Sequence, residues 1–336
     1  MHERDKVRFA VAVLVLSEAD VERLLPTADC IDVMGDVLAD LARGRLHQPL
    51  RTIVQPPETE SLVAVMPTYR FAPEPAYGLK VVCIFPNNPS RGLDTHQGAV
   101  ELFDGETGQL RAVMNASAIT AIRTAAVSAV ATRALAREDA RELAILGAGA
   151  QGRSHLDALA AVRPFERARV WSRTADHARA LAADANAPFP VEVAASAAEA
   201  IRGADVVVTA TASPTPVVER DWLTEGVHIN AVGACLPTTR ELDTATMADA
   251  SLFVDRRESA LNEAGDYVLA AEEGAIGPDH VLAELGEVLV GAVTGRTSAS
   301  ELTVFESLGL AVEDLAAAEF LYRRARESGA GATVEF

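Results

Sequence analysis

The chain is poor in cysteine: Cys30, Cys83 and Cys235 are the only three among its 336 residues. Their number is odd, and their spacings match neither a disulfide framework nor a metal-binding pattern. This scarcity excludes a disulfide-stabilised secreted module and a cysteine-ligated metal centre. We therefore expect a protein of the reducing cytoplasm without a bound metal.

Basic residues are also scarce relative to acidic ones. Thirty Lys and Arg against 48 Asp and Glu give a net charge of −18. Such a surface repels phosphate polymers and anionic lipids, so neither nucleic acid nor a membrane surface is expected as a partner. The early apolar run Phe9–Leu16 is too short to span a bilayer and lacks a cleavage-site pattern, so we expect no targeting segment.

The most informative pattern present is a glycine-rich loop at the end of an apolar strand. Leu143–Leu146 run directly into Gly147, Gly149 and Gly152, which have the G-x-G-x-x-G spacing. In this motif the first glycine permits a sharp turn, the second lets the backbone approach a pyrophosphate, and the third allows close helix packing. Because a helical stretch and a second strand follow, the context predicts a bound dinucleotide rather than an ordinary turn.

The order of strand and helix patterns differs on the two sides of this loop. The hydrophobic content of 49% in 336 residues is enough for two cores. Before the loop, one capped helix and several strands indicate an α+β region, whereas strands and helices alternate after it, which is typical of a doubly wound parallel sheet. The predicted elements are strands at 11–16, 50–54, 61–66, 79–85, 99–103, 168–172, 191–193, 205–209, 229–232 and 252–254, and helices at 30–43, 116–137 and 312–326.

The predicted fold class is therefore α/β: a Rossmann-type doubly wound parallel sheet domain plus an α+β substrate-binding and dimerisation domain. We place the NAD(P)-binding domain at 124–304. The other domain comprises 1–123 and 305–336, because the strong helix near the end of the chain can return to the first domain.

Three cations stand out from their apolar surroundings. Lys80 is the only charge in an apolar strand, so it needs a partner anion unless it belongs to an edge strand and reaches water. Arg123 lies on a helix of small residues, where the alternative role is an interdomain salt bridge, and Arg51 can equally be an exposed strand residue. Together the three can bind a carboxylate, because Arg does so bidentately and Lys adds a point charge.

The strand that follows the glycine loop decides the choice of cofactor. An acidic residue at its end would bind the ribose 2′-hydroxyl of NAD and repel a 2′-phosphate, but the sequence there is Ser172-Arg173-Thr174. A hydrogen bond to a charged group contributes about 1.5–3 kcal/mol, so a guanidinium and two hydroxyls favour NADPH. NADH is the alternative cofactor, since Arg173 can instead stack on the adenine.

Seven motifs distributed along the chain carry a family resemblance. They are Gly-Leu-Lys-Val-Val from Gly78, Arg-Gly-Leu-Asp-Thr-His-Gln-Gly from Arg91, Leu-Phe-Asp from Leu102, Thr-Ala-Ile-Arg-Thr-Ala-Ala-Val-Ser-Ala from Thr120, the loop from Gly147, Ala-Val-Gly-Ala from Ala231 and Thr-Val-Phe-Glu-Ser-Leu-Gly from Thr303. Through them the chain resembles the ornithine cyclodeaminase and mu-crystallin family over nearly its whole length. That family includes cyclodeaminases, an archaeal-type alanine dehydrogenase and cyclic ketimine reductases, and its members are typically homodimers.

The resemblance also implies roles for individual residues. Arg51, Lys80 and Arg123 would bind the substrate carboxylate, Lys80 would be the catalytic group that influences proton transfer, and Leu308 would touch the substrate. Together with the glycine loop and the second strand, the predicted cofactor site comprises Thr95, Arg123, Gly147, Gly149, Ala150, Gln151, Gly152, Ser172, Arg173, Thr174, Thr211, Val232, Gly233, Ala234, Cys235 and Ser307.

Two departures from the family pattern bear on the reaction. Cyclodeaminases carry an Asp where this chain has Cys235, and a Glu where it has Ala64. Ammonia expulsion needs a positioned carboxylate for proton transfer, which contributes about 10²–10⁴-fold, so the loss of both argues against that reaction. Cys235 can be a thiol acid or simply a small core residue, and His96 and His155 are the other candidates for proton transfer.

The sequence therefore predicts an NADPH-preferring oxidoreductase acting on C=N groups. The expected reaction is reduction of small cyclic imino acids such as Δ1-pyrroline-2-carboxylate or Δ1-piperideine-2-carboxylate, giving L-proline or L-pipecolate, because a protonated imine accepts hydride directly. The alternative enzymes are an alanine-type amino-acid dehydrogenase and an ornithine cyclodeaminase. The alternative of another class is a binding protein of mu-crystallin type that keeps NADPH but has little turnover.

Overall fold

The computed structural model describes residues 12–336. Val11, the predicted start of the first strand, and the beginning of the Phe9–Leu16 run lie outside the described residues. The strands are β1 (Ala12–Leu16), β2 (Leu46–His47), β3 (Thr52–Val54), β4 (Leu62–Arg70), β5 (Ala76–Ile84), β6 (His96–Asp104), β7 (Leu110–Asn115), β8 (Glu142–Leu146), β9 (Arg167–Trp171), β10 (Val191–Val193), β11 (Val206–Thr209), β12 (His228–Ala231), β13 (Ser251–Val254), β14 (Val281–Glu284), β15 (Thr303–Glu306) and β16 (Ala332–Glu335).

The α-helices between these strands range from 5 to 20 residues. They are α1 (Glu18–Leu24), α2 (Thr27–Ala42), α3 (Ala116–Leu135), α4 (Ala150–Ala160), α5 (Ala175–Asp184), α6 (Ala197–Ile201), α7 (Thr244–Asp249), α8 (Arg257–Glu263), α9 (Gly265–Glu272), α10 (Leu285–Leu289) and α11 (Ala311–Ser328). The capping pair expected before α1 is present, because the Asp20 N–H donates to Ser17 Oγ and the Ser17 N–H donates to Asp20 Oδ2. Short 3-10 turns occur at Asn88–Arg91, Arg220–Trp222 and Pro278–His280.

The chain forms two compact units. The first comprises residues up to Leu25, Arg45–Ile119 and Asp314–Phe336. Its sheet has the strand order β16-β1-β7-β6-β5-β4-β2, with β3 paired to β4. Most of these pairs are antiparallel, because the chain from β4 to β7 returns directly to the neighbouring strand without a crossover helix. The α+β character predicted for this region is confirmed.

The second unit comprises Pro26–Gly44 and Thr120–Glu313. Its sheet has the order β10-β9-β8-β11-β12-β15-β13-β14, and its strand pairs are parallel. From β8 the chain order runs outward through β9 and β10 on one side and through β11 and β12 on the other, where β15 then precedes β13 and β14. This is a doubly wound arrangement. The predicted α/β class is confirmed.

The units divide the chain at places other than the predicted domain limits of 123/124 and 304/305. The segment 305–313 lies in the second unit because it continues β15, an inner strand of the parallel sheet. Helix α2 also lies there rather than in the first unit. It packs so closely on α10 that a Cβ added at Gly286 would lie 2.3 Å from the Leu38 carbonyl oxygen. Sequence order alone cannot show this, since α2 is flanked by segments of the first unit.

Helix α3 was predicted at 116–137 and ends two residues earlier. It is long and apolar enough to cross a membrane, and it is the one such helix among residues 12–336. However, 72% of its most apolar stretch is buried inside the protein, as expected for a core helix. Its Ala, Ser and Thr residues permit this close packing.

Candidate active site

The carboxyl ends of the parallel strands lie along one edge of the second unit's sheet. Register pairs join Leu146 of β8 to Thr209 of β11, Thr209 to Ala231 of β12, and Ala231 to Glu306 of β15. Ligands of doubly wound sheets bind at this edge, where the strand order reverses, which here is between β8 and β11.

The sheet brings most of the predicted cofactor residues together at this edge. Each of the following residues lies in the loop directly after a strand or in the first turn of α4: Gly147, Gly149, Ala150, Gln151, Gly152, Ser172, Arg173, Thr174, Thr211, Val232, Gly233, Ala234, Cys235 and Ser307. Their clustering follows from parallel topology, because strands that run in one direction end on one side. Leu308, the predicted substrate contact, lies at the same edge and is buried.

The glycine loop has the geometry that a dinucleotide requires. Gly147 has a φ of +110°, and a Cβ added there would lie 2.3 Å from the Ala210 carbonyl oxygen. A Cβ added at Gly152 would lie 2.0 Å from the Gly147 carbonyl oxygen, so the helix packs tightly on the turn. In contrast, a Cβ at Gly149, the N-cap of α4, would meet nothing within 4 Å. That open cradle beside a helix N-terminus fits a pyrophosphate.

Two buried polar atoms near this edge of the sheet also support the binding of a dinucleotide. Gln151 Oε1 and Ser307 Oγ are buried and have no hydrogen-bond partner among the residues that the structure describes. Buried polar groups are normally satisfied, so each marks a place where a polar ligand can bind. The residues present therefore fit a dinucleotide.

The predicted phosphate-binding segment follows β9. Arg173 and Thr174 are exposed, and Thr174 is the N-cap of α5 but makes no side-chain capping bond. Within residues 12–336 the Arg173 guanidinium has no ion-pair partner. These groups are accessible to a ribose phosphate, but their role stays a prediction.

A set of buried acids at the carboxyl edge was not predicted. Glu241, Asp255, Asp266 and Glu306 are each at most 1% exposed. Asp255 Oδ2 accepts the backbone N–H groups of Leu308 (2.7 Å) and Gly309 (2.8 Å), which fixes the turn after Ser307. Burial, together with the nearby Asp266, Glu241 and Asp255 carboxylates, raises the pKa of Glu306 well above its usual value. The hydrophilic sequence around Glu241 is typical of an exposed loop and gives no sign of this burial.

Cys235, at the position of the cyclodeaminase Asp, is half-buried. Its Sγ donates to the Val232 carbonyl oxygen at 3.2 Å. This local hydrogen bond is compatible with a small packed thiol. It leaves the choice between a packing role and a thiol acid open.

Arg123 is buried in the second unit and forms an ion pair there. Its Nη1 lies 2.7 Å from Glu313 Oε2, and both side chains are at most 4% exposed. A Cβ added at Gly309, which has a φ of +78°, would lie 2.4 Å from Arg123 Nη1. Arg123 therefore supports the turn after β15, and the ion pair lies within one unit rather than between two domains.

Lys80 is buried in the first unit and has the anionic partner that its sequence context requires. Its Nζ lies 3.2 Å from Asp314 Oδ1, and the two side chains are 4% and 2% exposed. Strand β5 lies between β4 and β6, with Lys80 in register with Met66 and Val100. The alternative of an edge-strand lysine is therefore wrong.

Arg51 and Thr95 also lie in the first unit. Arg51 directly precedes β3. Thr52 pairs with Val65 of β4, so the same register continued by one residue places Arg51 opposite Met66, which in turn pairs with Lys80 of β5. Arg51 and Lys80 therefore lie in one row across the sheet, with only β4 between them. Thr95 is half-buried before β6, and its carbonyl accepts the Phe85 N–H at 2.9 Å. Their contacts with substrate and cofactor stay predictions.

His155 is a fully buried member of α4. Ser128 Oγ lies 2.8 Å from its Nε2, and the Gln151 carbonyl oxygen lies 2.7 Å from its Nδ1. Burial lowers the pKa of His155 to about 4, against a smaller opposing effect of the Gln151 hydrogen bond. The ring is a neutral link between α3 and α4, which disfavours the proton-transfer role considered for it. His96, the other candidate, is exposed at the start of β6.

Comparison with known proteins identifies the family. The model of the ornithine cyclodeaminase/mu-crystallin family matches residues 11–329. The chain belongs to this family. The resemblance predicted from the seven motifs is therefore confirmed.

Relatives within the ornithine cyclodeaminase/mu-crystallin family match almost end to end. A Δ1-pyrroline-2-carboxylate reductase of Bacillus cereus is 38% identical over 96% of this chain and 100% of its own length. The ketimine reductase mu-crystallin of Rattus norvegicus is 42% identical over 94% of this chain and 98% of its own.

Solved structures of the family superimpose closely. A Thermococcus litoralis Δ1-pyrroline-2-carboxylate reductase in complex with NADH and L-proline has a TM-score of 0.93 and 37% identity, covering 96% of this chain and 100% of its own. An archaeal alanine dehydrogenase dimer with bound NAD has a TM-score of 0.91 and 32% identity, covering 97% and 99%.

Proposed function

We propose that the protein is an NADPH-preferring ketimine reductase acting on small cyclic imino acids such as Δ1-pyrroline-2-carboxylate or Δ1-piperideine-2-carboxylate, giving L-proline or L-pipecolate. The observation that carries the proposal is the full-length similarity to two reductases named for this chemistry. The presence of Cys235 in place of the cyclodeaminase Asp supports reduction over deamination.

The reduced dinucleotide supplies the hydride when it is bound. The chain's own residues hold and orient the reactants. The glycine loop and the N-terminus of α4 would take the pyrophosphate, since their free N–H groups favour an anion. Arg173 and the hydroxyls of Ser172 and Thr174 would take the 2′-phosphate, because a guanidinium binds phosphate well.

Lys80 would act on the imino acid. Asp314 holds its ammonium group in place at 3.2 Å, so the side chain offers fixed N–H donors and positive charge within an apolar strand. A fixed ammonium group can bind the substrate carboxylate, and it can donate a proton to the imine nitrogen and become a neutral amine, which makes the imine carbon a better hydride acceptor. Arg51, in the same row, would add a bidentate contact with the carboxylate.

We also propose that the protein is a homodimer. Tyr69, Phe71 and Tyr77 form an aromatic group on the first unit, with the Tyr69 ring 4.4 Å from Tyr77 and 5.0 Å from Phe71. Phe71 and Tyr77 are 53% and 49% exposed. Exposed apolar patches mark interaction sites, and one family relative is described as a dimer. Light scattering should show a dimer that Tyr77→Glu weakens; a monomeric wild-type protein would contradict this proposal.

One set of assays tests the reaction. The purified protein is mixed with NADPH and each cyclic ketimine, with pyruvate plus ammonia, or with ornithine and the oxidised cofactor, while nicotinamide absorbance is followed. Ketimine-dependent oxidation of NADPH is expected. Proline and ammonia from ornithine, with inert ketimines, would overturn the proposal.

Two further outcomes separate the alternatives. Turnover with pyruvate and ammonia alone would identify an alanine dehydrogenase, which the similarity to the archaeal enzyme makes the second candidate. NADPH binding without turnover in any mixture would indicate a binding protein. A cytoplasmic location stays a prediction from the cysteine content.

A further inference from the structure

Glu241 joins two of the loops at the carboxyl edge of the second unit's sheet. Its Oε1 accepts the backbone N–H of Thr211 at 2.6 Å, and its Oε2 accepts that of Gly233 at 2.7 Å. Thr211 follows β11 and Gly233 follows β12. One carboxylate therefore spans the ends of two neighbouring strands, and both of its contacts are residues predicted to line the cofactor.

The geometry suits a carboxylate, because each of the two Glu241 oxygens accepts one backbone N–H. Within residues 12–336 no basic side chain forms an ion pair with Glu241, and the titratable groups facing it are the acids Asp266 and Glu306. Burial raises the pKa of Glu241, and hydrogen bonds from Thr211, through its side chain and its backbone, and from the Gly233 N–H oppose that rise.

The backbone of Glu241 is itself fixed. Asp266 Oδ1 accepts the N–H groups of Glu241 (2.7 Å) and Leu242 (2.8 Å). Next to Asp266, Gly265 packs so closely on the loop that an added Cβ would lie 1.7 Å from the Thr239 carbonyl oxygen. The backbone of Glu241 is therefore fixed independently of the Thr211 and Gly233 loops, so the carboxylate does not move with them.

The Thr211 loop and the Gly233 loop also lie close to each other. A Cβ added at Gly233 would lie 2.2 Å from the Thr211 carbonyl oxygen and 2.5 Å from Glu241 Oε2. No side chain fits between the two loops, so their separation is set by the carboxylate that bridges them.

We propose that Glu241 is a positioning residue that sets the spacing of the Thr211 and Gly233 loops and thereby shapes the dinucleotide site. The proposal rests on the proposed function for the identity of the ligand. Glu241 is fully buried, and it acts through the backbone of two residues that are predicted to line the cofactor.

The test compares Glu241→Gln with Glu306→Gln. Glutamine has the shape of glutamate, but its NH2 group would face one of the two loop N–H donors at hydrogen-bond distance. Glu306 is an equally buried acid of the same edge, and within residues 12–336 neither of its carboxylate oxygens has a hydrogen-bond partner. The control variant therefore removes a buried acid without removing an N–H contact.

We expect Glu241→Gln to raise the Kd for NADPH at least tenfold, measured by NADPH fluorescence, while KM for the ketimine changes less than threefold. Glu306→Gln should leave the Kd within twofold. An unchanged Kd in a folded Glu241→Gln protein, or an equal loss in both variants, would overturn the proposal. Because binding is measured without turnover, failure to reduce ketimines would contradict only the proposed function.

If Glu241→Gln does not fold, amide hydrogen exchange on the wild-type protein tests the proposal instead. The amides of Thr211 and Gly233 should be protected without NADPH to the same degree as strand amides, since the carboxylate already binds them. Rapid exchange at both amides in the cofactor-free protein would overturn the proposal.

Discussion

Lys80 Nζ and Asp314 Oδ1 lie 3.2 Å apart, although 234 residues separate them in the sequence. Both side chains are almost fully buried. Removing one member of such a pair costs about 3–5 kcal/mol because it leaves the other charge buried, whereas removing both can be nearly neutral. This difference allows the role of Lys80 in the reaction to be separated from its role in folding.

Lys80→Met should lower ketimine turnover by about 10²–10⁴-fold, the usual effect of losing a positioned proton-transfer group. Its melting temperature should also fall. The double variant Lys80→Met/Asp314→Asn should regain much of the stability but none of the turnover, and both proteins should bind NADPH normally. Kinetics, calorimetry and cofactor titration check this; wild-type turnover in either variant would remove Lys80 from the site.

Arg173→Asp should shift cofactor preference toward NADH by roughly tenfold to 150-fold, because it replaces a charged hydrogen-bond donor with an anion that repels the 2′-phosphate. Arg202→Asp is the matched control. Arg202 is also exposed, but it precedes β11 and so lies at the opposite edge of the sheet. The ratio of kcat/KM for NADPH and NADH is the measurement, and equal ratios in both variants would mean that the phosphate binds elsewhere.

His155 should make the protein lose stability in mild acid. Burial lowers its folded-state pKa from 6.5 to about 4, so the unfolded chain binds the extra proton first as pH falls. The free energy of unfolding should therefore decrease between pH 6.5 and 4, by roughly 3 kcal/mol from this residue. Urea unfolding at several pH values should show a flatter profile for His155→Gln, and identical slopes would contradict the assignment.

Glu306 should make the protein lose stability as the pH rises, which is opposite to the effect of His155. Its pKa in the folded protein is raised well above 4.5, first by burial and then by Asp266, Glu241 and Asp255. Its contribution to stability is therefore complete below pH 4.5 and is lost as the pH rises toward the folded-state pKa. Glu306→Gln, which stays neutral, should melt at a progressively higher temperature than wild type between pH 5 and 9. A constant difference across that range would show that Glu306 is ionised throughout.

The parts of the site that sequence predicts are local ones. Gly147, Gly149 and Gly152 are recognisable because a turn, a close approach and a tight packing contact fall within six residues. The parallel sheet then collects the remaining loops, so family motifs such as Ala231–Ala234 lie at the edge that they were expected to line.

The parts that sequence does not predict depend on distant segments. That Lys80 needs an anion follows from its apolar strand, but nothing local identifies Asp314. Glu241 is flanked by polar residues, and its burial arises from Asp266 and from loops of other strands. Strand β16 was not predicted, because all four of its residues are exposed and the alternation Ala-Thr-Val-Glu is too short to indicate a buried face.

The two ends of the described chain are neighbours in one sheet. Strand β16 pairs antiparallel with β1, and Val13 is in register with Val334. During synthesis, one side of β1 therefore stays uncovered until residues 332–335 have left the ribosome, whereas residues 120–313 emerge earlier. Deletion of residues 332–336 would uncover β1 as a sheet edge and invite pairing between chains.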